Sequence, residues 1–112
     1  MKTSTDLPAV VVDYFDLMDR DDNAAVVDLF APGAQVTDDG QTYRGRAEIA
    51  GWLGGPAGEF TTTSTQLSAD RSDQQVTVVI RVEGDFPGGR VDLRNVFTLD
   101  PAGLIRDLLI TV

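Results

Sequence analysis

The spacing of apolar positions changes character once along this chain, from helical in the first half to alternating in the second. Leu7, Val10, Val11, Tyr14, Leu17 and Met18 form one stripe at helical spacing, with Asp13, Asp16 and Asp19 on the opposite side. The pattern predicts a first helix starting near Ser4 or Thr5 as N-cap, with Asp6 and Pro8 in its first turn. "RDDN" interrupts it, and Asp21 or Asp22 is placed to cap a second helix with an apolar face of Ala25, Val26, Leu29 and Phe30, ended by "APG". "AQVTDDGQTYRG" reads as a short strand running into a tight turn. "GRAEIAGWLGG" reads as a third helix that buries Ile49, Trp52 and Leu53.

Beyond this point the period is two. "FTTTSTQLSA" is rich in β-branched residues, "QQVTVVIRVEGDF" alternates, and "GRVDLRNVFTL" and "GLIRDLLITV" follow, with turn signals "DRSDQ", "GDFPGG" and "DPAG" between them. Three N-terminal helices followed by a meander of strands predict an α+β domain, with the helices packed on one face of a curved, mostly antiparallel sheet. At 112 residues the chain is expected to be one domain, residues 1–112, able to bury a single core.

Composition then removes several functions. A formal charge of -9, from 18 acidic and 9 basic residues with no basic run, makes nucleic acid or an anionic membrane surface an unfavourable partner. The opening segment resembles neither a signal peptide nor a membrane span, so a cytoplasmic location is expected. The absence of His and Cys rules out a Ser-His-Asp triad, a thiolate nucleophile and a usual zinc site. Any proton transfer by the protein's own side chains falls to Asp, Glu, Tyr, Lys or Arg. No metal or organic cofactor is implied, since no carboxylate spacing matches a calcium loop.

Against this background three polar residues stand on faces that otherwise look buried. Alternation places Asp38 beside Ala34 and Val36, and Asn95 beside Val91, Leu93, Phe97 and Leu99, while Tyr14 lies in the middle of the helical stripe. A buried polar group without a partner costs roughly 1–3 kcal/mol, so each needs a partner or a ligand. Each also has a plainer reading. Asp38 precedes Asp39-Gly40 and is placed to serve the turn, Tyr14 suits a core tyrosine, and Asn95 suits a bulge or a bond to a neighbouring strand.

Helix, short helix ending "LFAPGA", strand, the pattern G-x-x-x-x-G-x-x-x-I-x-x-W and a meander of long strands together resemble the SnoaL-like families of the nuclear transport factor 2 superfamily. The resemblance implies a cone-shaped α+β barrel with one deep hydrophobic pocket, a small apolar ligand or substrate, and a homodimer. Within that superfamily "AVVVDYFDLMDRDDNAAVVDLFAPGAQVTD" is most similar to the opening third of ketosteroid isomerase. That likeness sets Tyr14 at the oxyanion-hole tyrosine and Asp38 at the general base. Asn95 falls where the isomerase carries a protonated aspartic acid that donates to the oxyanion. An amide is a weaker acid, so less oxyanion stabilisation is expected from it.

A second constellation resembles the epoxide-hydrolase branch, in which an Arg-x-Asp pair and a last-strand aspartate activate water. Here Arg81 and Glu83 in "IRVEG" and Asp107 in "LIRDLL" are the candidates, against a solvent-facing Arg81–Glu83 salt bridge as the plainer reading. Both sides of the last strand are apolar: Asp107 shares one with Ile105 and Leu109, and Leu104, Leu108 and Ile110 take the other. The side facing Asn95 turns on the register of the "LDPAG" hairpin. Polyketide-cyclase relatives use a pocket aspartate as acid and base, which makes Asp107 the second candidate after Asp38. Trp52 and Phe86 are expected in the pocket wall or a dimer contact. The functional expectation is therefore a small acid/base isomerase or cyclase acting on an apolar carbonyl compound, with Asp38 carrying the proton and Tyr14 and Asn95 donating hydrogen bonds. The alternatives are a non-catalytic module for hydrophobic ligand binding or dimerisation, and an epoxide-hydrolase-like enzyme.

Overall fold

A computed structural model describes residues 7–55 and 62–112. Its elements run α1 (Ala9–Asp19), α2 (Asn23–Val27), β1 (Phe30–Asp38), β2 (Gln41–Arg44), α3 (Gly45–Gly54), β3 (Thr62–Ser72), β4 (Gln75–Gly84), β5 (Arg90–Leu99) and β6 (Ile105–Thr111). The six strands form one curled, unclosed sheet in the order β2-β1-β6-β5-β4-β3. All neighbours are antiparallel except β1 and β6, which run parallel. The fold is thus the mixed α+β arrangement of three helices on a curved sheet. No helix among the described residues is long and apolar enough to cross a membrane.

Helix α1 buries Val11 and Tyr14. It starts at Ala9 with Pro8 in the capping position, later than the expected start. Proline has no N–H to lose there, and it makes no side-chain cap. The expected caps Ser4 and Thr5, with Asp6, lie outside the described residues. At the other end Asp21 turns into the left-handed region at φ 57°, and Asp22 then accepts from the Ala25 N–H at 3.3 Å to cap α2. Helix α2 stops at Val27, earlier than the pattern predicts, and Phe30 already belongs to the sheet. The "APG" tripeptide lies inside β1, not at a helix end, and produces the register irregularity between Phe30 and Gln35 against β6. A proline cannot donate to a ladder, so this strand tolerates one where its pairing is broken.

The first turn of the sheet decides where the site lies. Asp38 pairs with Gln41 across a two-residue loop in which Asp39 and Gly40 have φ of 53° and 76°. Positive φ at both central positions is the demand of a type I′ hairpin, which Asp-Gly meets. The turn belongs to Asp39, and Asp38 remains the last residue of the strand. The returning β2 was not foreseen from sequence; it is four residues long and mostly polar. It delivers the chain to α3, whose Ile49, Trp52 and Leu53 are buried as the pattern predicts. Arg46 fastens this helix to the sheet, donating to the Phe30 carbonyl from Nε at 3.0 Å and from Nη2 at 2.7 Å.

The core lies between the helices and the inner sheet face, where Phe30, Val36, Val78, Phe97, Ile105 and Leu108 have no exposed surface. Tyr14, Phe15 and Phe97 pack edge to face at ring separations of 5.1, 5.2 and 5.7 Å. The inner face of β5 follows strict alternation. That of β6 does not: Thr98 pairs with Asp107 and Leu99 with Ile105, so Arg106 is an extra residue. The extra residue changes which side follows, and Ile105, Leu108 and Ile110 all face the core.

Candidate functional site

A cavity of about 840 Å³ lies between α1, α3 and the inner sheet face. Tyr14, Asp38, Trp52 and Asn95 contribute to its lining, together with apolar groups such as Ile80 and Leu93. Alternation on β1 carries Asp38 into it, because Ala34 and Val36 on the same side are fully buried. Asp38 is half-buried; Tyr14 and Asn95 are 3% and 2% exposed. Three side chains singled out from sequence alone therefore share one cavity. Phe86, from the loop between β4 and β5, also lines it.

Asp38 has a specific partner. The Trp52 indole Nε1 donates to its Oδ2 at 3.0 Å, and the indole in turn rests against Tyr43 with ring centroids 6.2 Å apart. A buried tryptophan needs an acceptor for its N–H, so the geometry satisfies both groups and holds the carboxylate in one orientation. The sequence places Trp52 in the pocket wall or a dimer contact, and the structure makes it the partner of Asp38. The signal available in the sequence was its place on the buried face of the third helix; what it would meet there depended on β2 folding back.

Tyr14 is the strongly perturbed group. Burial first, and the negative charge of Asp38 second, push its phenol above the ordinary value of 10.0. The hydroxyl therefore stays protonated and serves as a donor. Asn95 behaves differently from the expectation that it donates into the cavity. Its Nδ2 lies 3.4 Å from the Val78 carbonyl and 3.5 Å from the Leu93 carbonyl, so its N–H groups are directed at the sheet backbone.

Asp107 lies apart from these residues. The bulge at Arg106 turns it to the outer face, where it pairs with Thr98 and Gln35 and does not line the cavity. Partial burial raises its pKa, opposed in part by the positive charge of Arg106. Arg81 is engaged with Asp92 on the neighbouring strand, not with Glu83, through Nε–Oδ1 at 2.9 Å and Nη2–Oδ2 at 3.3 Å. That hydrogen bond raises the Arg81 pKa and lowers that of Asp92. Arg81 pairs opposite Asp92, and Asp107 opposite Thr98. Six residues of extended strand separate those two positions on β5, about 20 Å. Arg81, Glu83 and Asp107 do not converge on one water. Among the described residues no three acidic side chains gather as a metal site would require.

The sequence matches the SnoaL-like domain family over residues 11–107. No curated protein matches it. Among solved structures, a Sinorhizobium meliloti protein provisionally named a polyketide cyclase is 32% identical, covers 98% of this chain and 100% of its own, and superposes with a TM-score of 0.90. SalBIII, an epoxide hydrolase/cyclase-like enzyme with a role in pyran ring formation in the polyether salinomycin, is 25% identical over 91% of this chain and 86% of its own, with a TM-score of 0.74. A Catenulispora acidiphila protein with a ketosteroid-isomerase-like fold, bound to trimethylamine, is 20% identical over 96% of this chain and 87% of its own, with a TM-score of 0.83, and shows likeness of fold alone. The chain belongs to the SnoaL-like domain family.

Proposed function

We propose that this SnoaL-like domain is a small acid/base enzyme, an isomerase or cyclase, acting on an apolar carbonyl compound held in the cavity. The observation that supports the reading is the meeting, within one largely apolar cavity, of the Asp38 carboxylate and the buried Tyr14 phenol. Trp52 occupies Oδ2 of Asp38, which leaves Oδ1 as the oxygen that takes a proton from the carbon beside the carbonyl. The C–H electron pair becomes the enolate double bond, the carbonyl pair moves to oxygen, and the Tyr14 hydroxyl donates to that oxygen. Return of the proton to another carbon completes an isomerisation. Attack of the enolate carbon on a second carbonyl, with the proton passed from Asp38 to the new alkoxide, closes a ring. Ring formation agrees with the cyclase-like description of SalBIII and with the provisional name of the Sinorhizobium meliloti protein.

The test is exchange of α-protons with deuterated solvent, followed by NMR on enolisable ketones, a Δ5-3-ketosteroid among them. The wild type is expected to accelerate exchange, and Asp38→Asn to slow it by about 10²–10⁴-fold, the range for a positioned acid or base. Equal rates for the two proteins would remove Asp38 from the chemistry.

A further inference from the structure

Besides the Tyr14 phenol, Asn95 is the buried polar side chain of the core among the described residues, and the use of its two ends is unequal. Nδ2 faces two backbone carbonyl oxygens, Val78 O and Leu93 O. Those two oxygens fix the orientation of the amide, because turning it over would set oxygen against oxygen at both contacts. The remaining polar atom is Oδ1, on a side chain that lines the cavity and is 2% exposed. Among the described residues nothing donates to it. The Tyr14 hydroxyl, 3% exposed on the same cavity, likewise has no hydrogen-bond partner among them. An amide oxygen accepts and cannot donate, whereas a tyrosine hydroxyl that stays protonated donates. Besides the half-buried Asp38 Oδ1, the cavity therefore presents one deeply buried acceptor and one deeply buried donor that are unmet, set in apolar walls. A bare ketone answers only the donor, and leaves a buried acceptor unsatisfied.

From this we infer that Asn95 Oδ1 is a specificity-determining acceptor, and that the substrate carries a hydroxyl group as well as its carbonyl. The inference builds on the proposed acid/base function and narrows its substrate class to hydroxylated carbonyl compounds, enols and phenols included. The carbonyl oxygen takes the Tyr14 O–H, and the substrate hydroxyl donates to Asn95 Oδ1. Sites built to bond a substrate hydroxyl discriminate strongly against the analogue lacking it, because their own buried group is then left unpaired.

Calorimetric titration of the whole chain with three kinds of probe tests this: α-tetralone, ring-hydroxylated α-tetralones, and the methyl ethers of those hydroxylated compounds. At least one hydroxylated tetralone is expected to bind about tenfold more tightly than α-tetralone, and its methyl ether to lose that advantage. Asn95→Leu, close in shape but without polar atoms, is expected to abolish the preference while still binding α-tetralone. The ether comparison needs no variant and stands if Asn95→Leu fails to fold. Asp38→Asn is expected to keep the preference, so failure of the catalytic reading and failure of this one give different results. If no hydroxylated probe outbinds the parent, including the case in which none binds, or if Asn95→Leu retains the preference, the inference is overturned.

Discussion

The indole N–H of Trp52 donates to Asp38 Oδ2 across 3.0 Å, joining a helix to a strand residue 14 positions earlier in the chain. Asp38 lines the cavity, and the contact occupies one of its carboxylate oxygens and leaves the other without a hydrogen bond among the described residues. Trp52→Phe keeps an aromatic ring of smaller size in a buried position and removes the donor. Catalysis depends on placement at the scale of an ångström, so this variant is expected to lose about tenfold to a hundredfold in the rate of α-proton exchange. The loss should fall on turnover more than on KM, with circular dichroism unchanged. Trp52 is also the only tryptophan in the chain, so its fluorescence reports directly on the site. Asp38→Asn is expected to shift the emission of the folded protein.

Tyr14 links the same site to alkaline stability. Its phenol ionises less readily in the folded chain than the ordinary value of 10.0, chiefly because it is buried and secondarily because Asp38 is near. The folded state therefore holds this proton more tightly than the unfolded state does. The associated stability is present in full below pH 10 and is lost as pH rises from there through the elevated folded value. Thermal melts across the alkaline range are expected to show a steeper decline for the wild type than for Tyr14→Phe. Identical slopes would mean that the phenol is not held neutral by the fold.

Asp107 and Arg81 yield the opposite kind of prediction. Both lie away from the cavity, so Arg81→Met and Asp107→Asn are expected to leave α-proton exchange unchanged. Partial burial raises the Asp107 pKa above 3.8, against the pull of Arg106. The charged form is therefore disfavoured by folding, and stability linked to this group is lost as pH rises through its folded pKa. Asp107→Asn should raise the melting temperature at neutral pH, with the gain shrinking as acid neutralises the wild-type side chain. A large loss of exchange activity in either variant would bring the outer face back into the mechanism.

The buried positions of the candidate site were legible because each followed from a local rule. Helical spacing placed Tyr14 among apolar neighbours, and alternation set Asp38 beside Ala34 and Val36 and Asn95 beside Phe97, as the structure has them. The Asp39-Gly40 dipeptide carried its own turn chemistry, although the sequence left open which aspartate the turn would use. The resemblance to SnoaL-like proteins pointed to the same fold before any strand pairing was known.

What tertiary structure alone decided were the partners. Asp107 was unreadable because one unpaired residue, Arg106, reverses every later side chain of the strand, and a bulge exists only relative to the strand it is paired with. Arg81 has Asp92 opposite it across β4 and β5 and bonds to it in place of Glu83, two residues further along its own strand. Trp52 reaches Asp38 because β2 reverses the chain and lays α3 over β1. Asn95 turns its N–H groups to the backbone carbonyls of Val78 and Leu93, so the end of the amide left for a ligand is its oxygen. Periodicity along a chain determines which side of an element is buried. Which atoms then meet depends on register and chain reversal, and those are settled only when distant segments pack together.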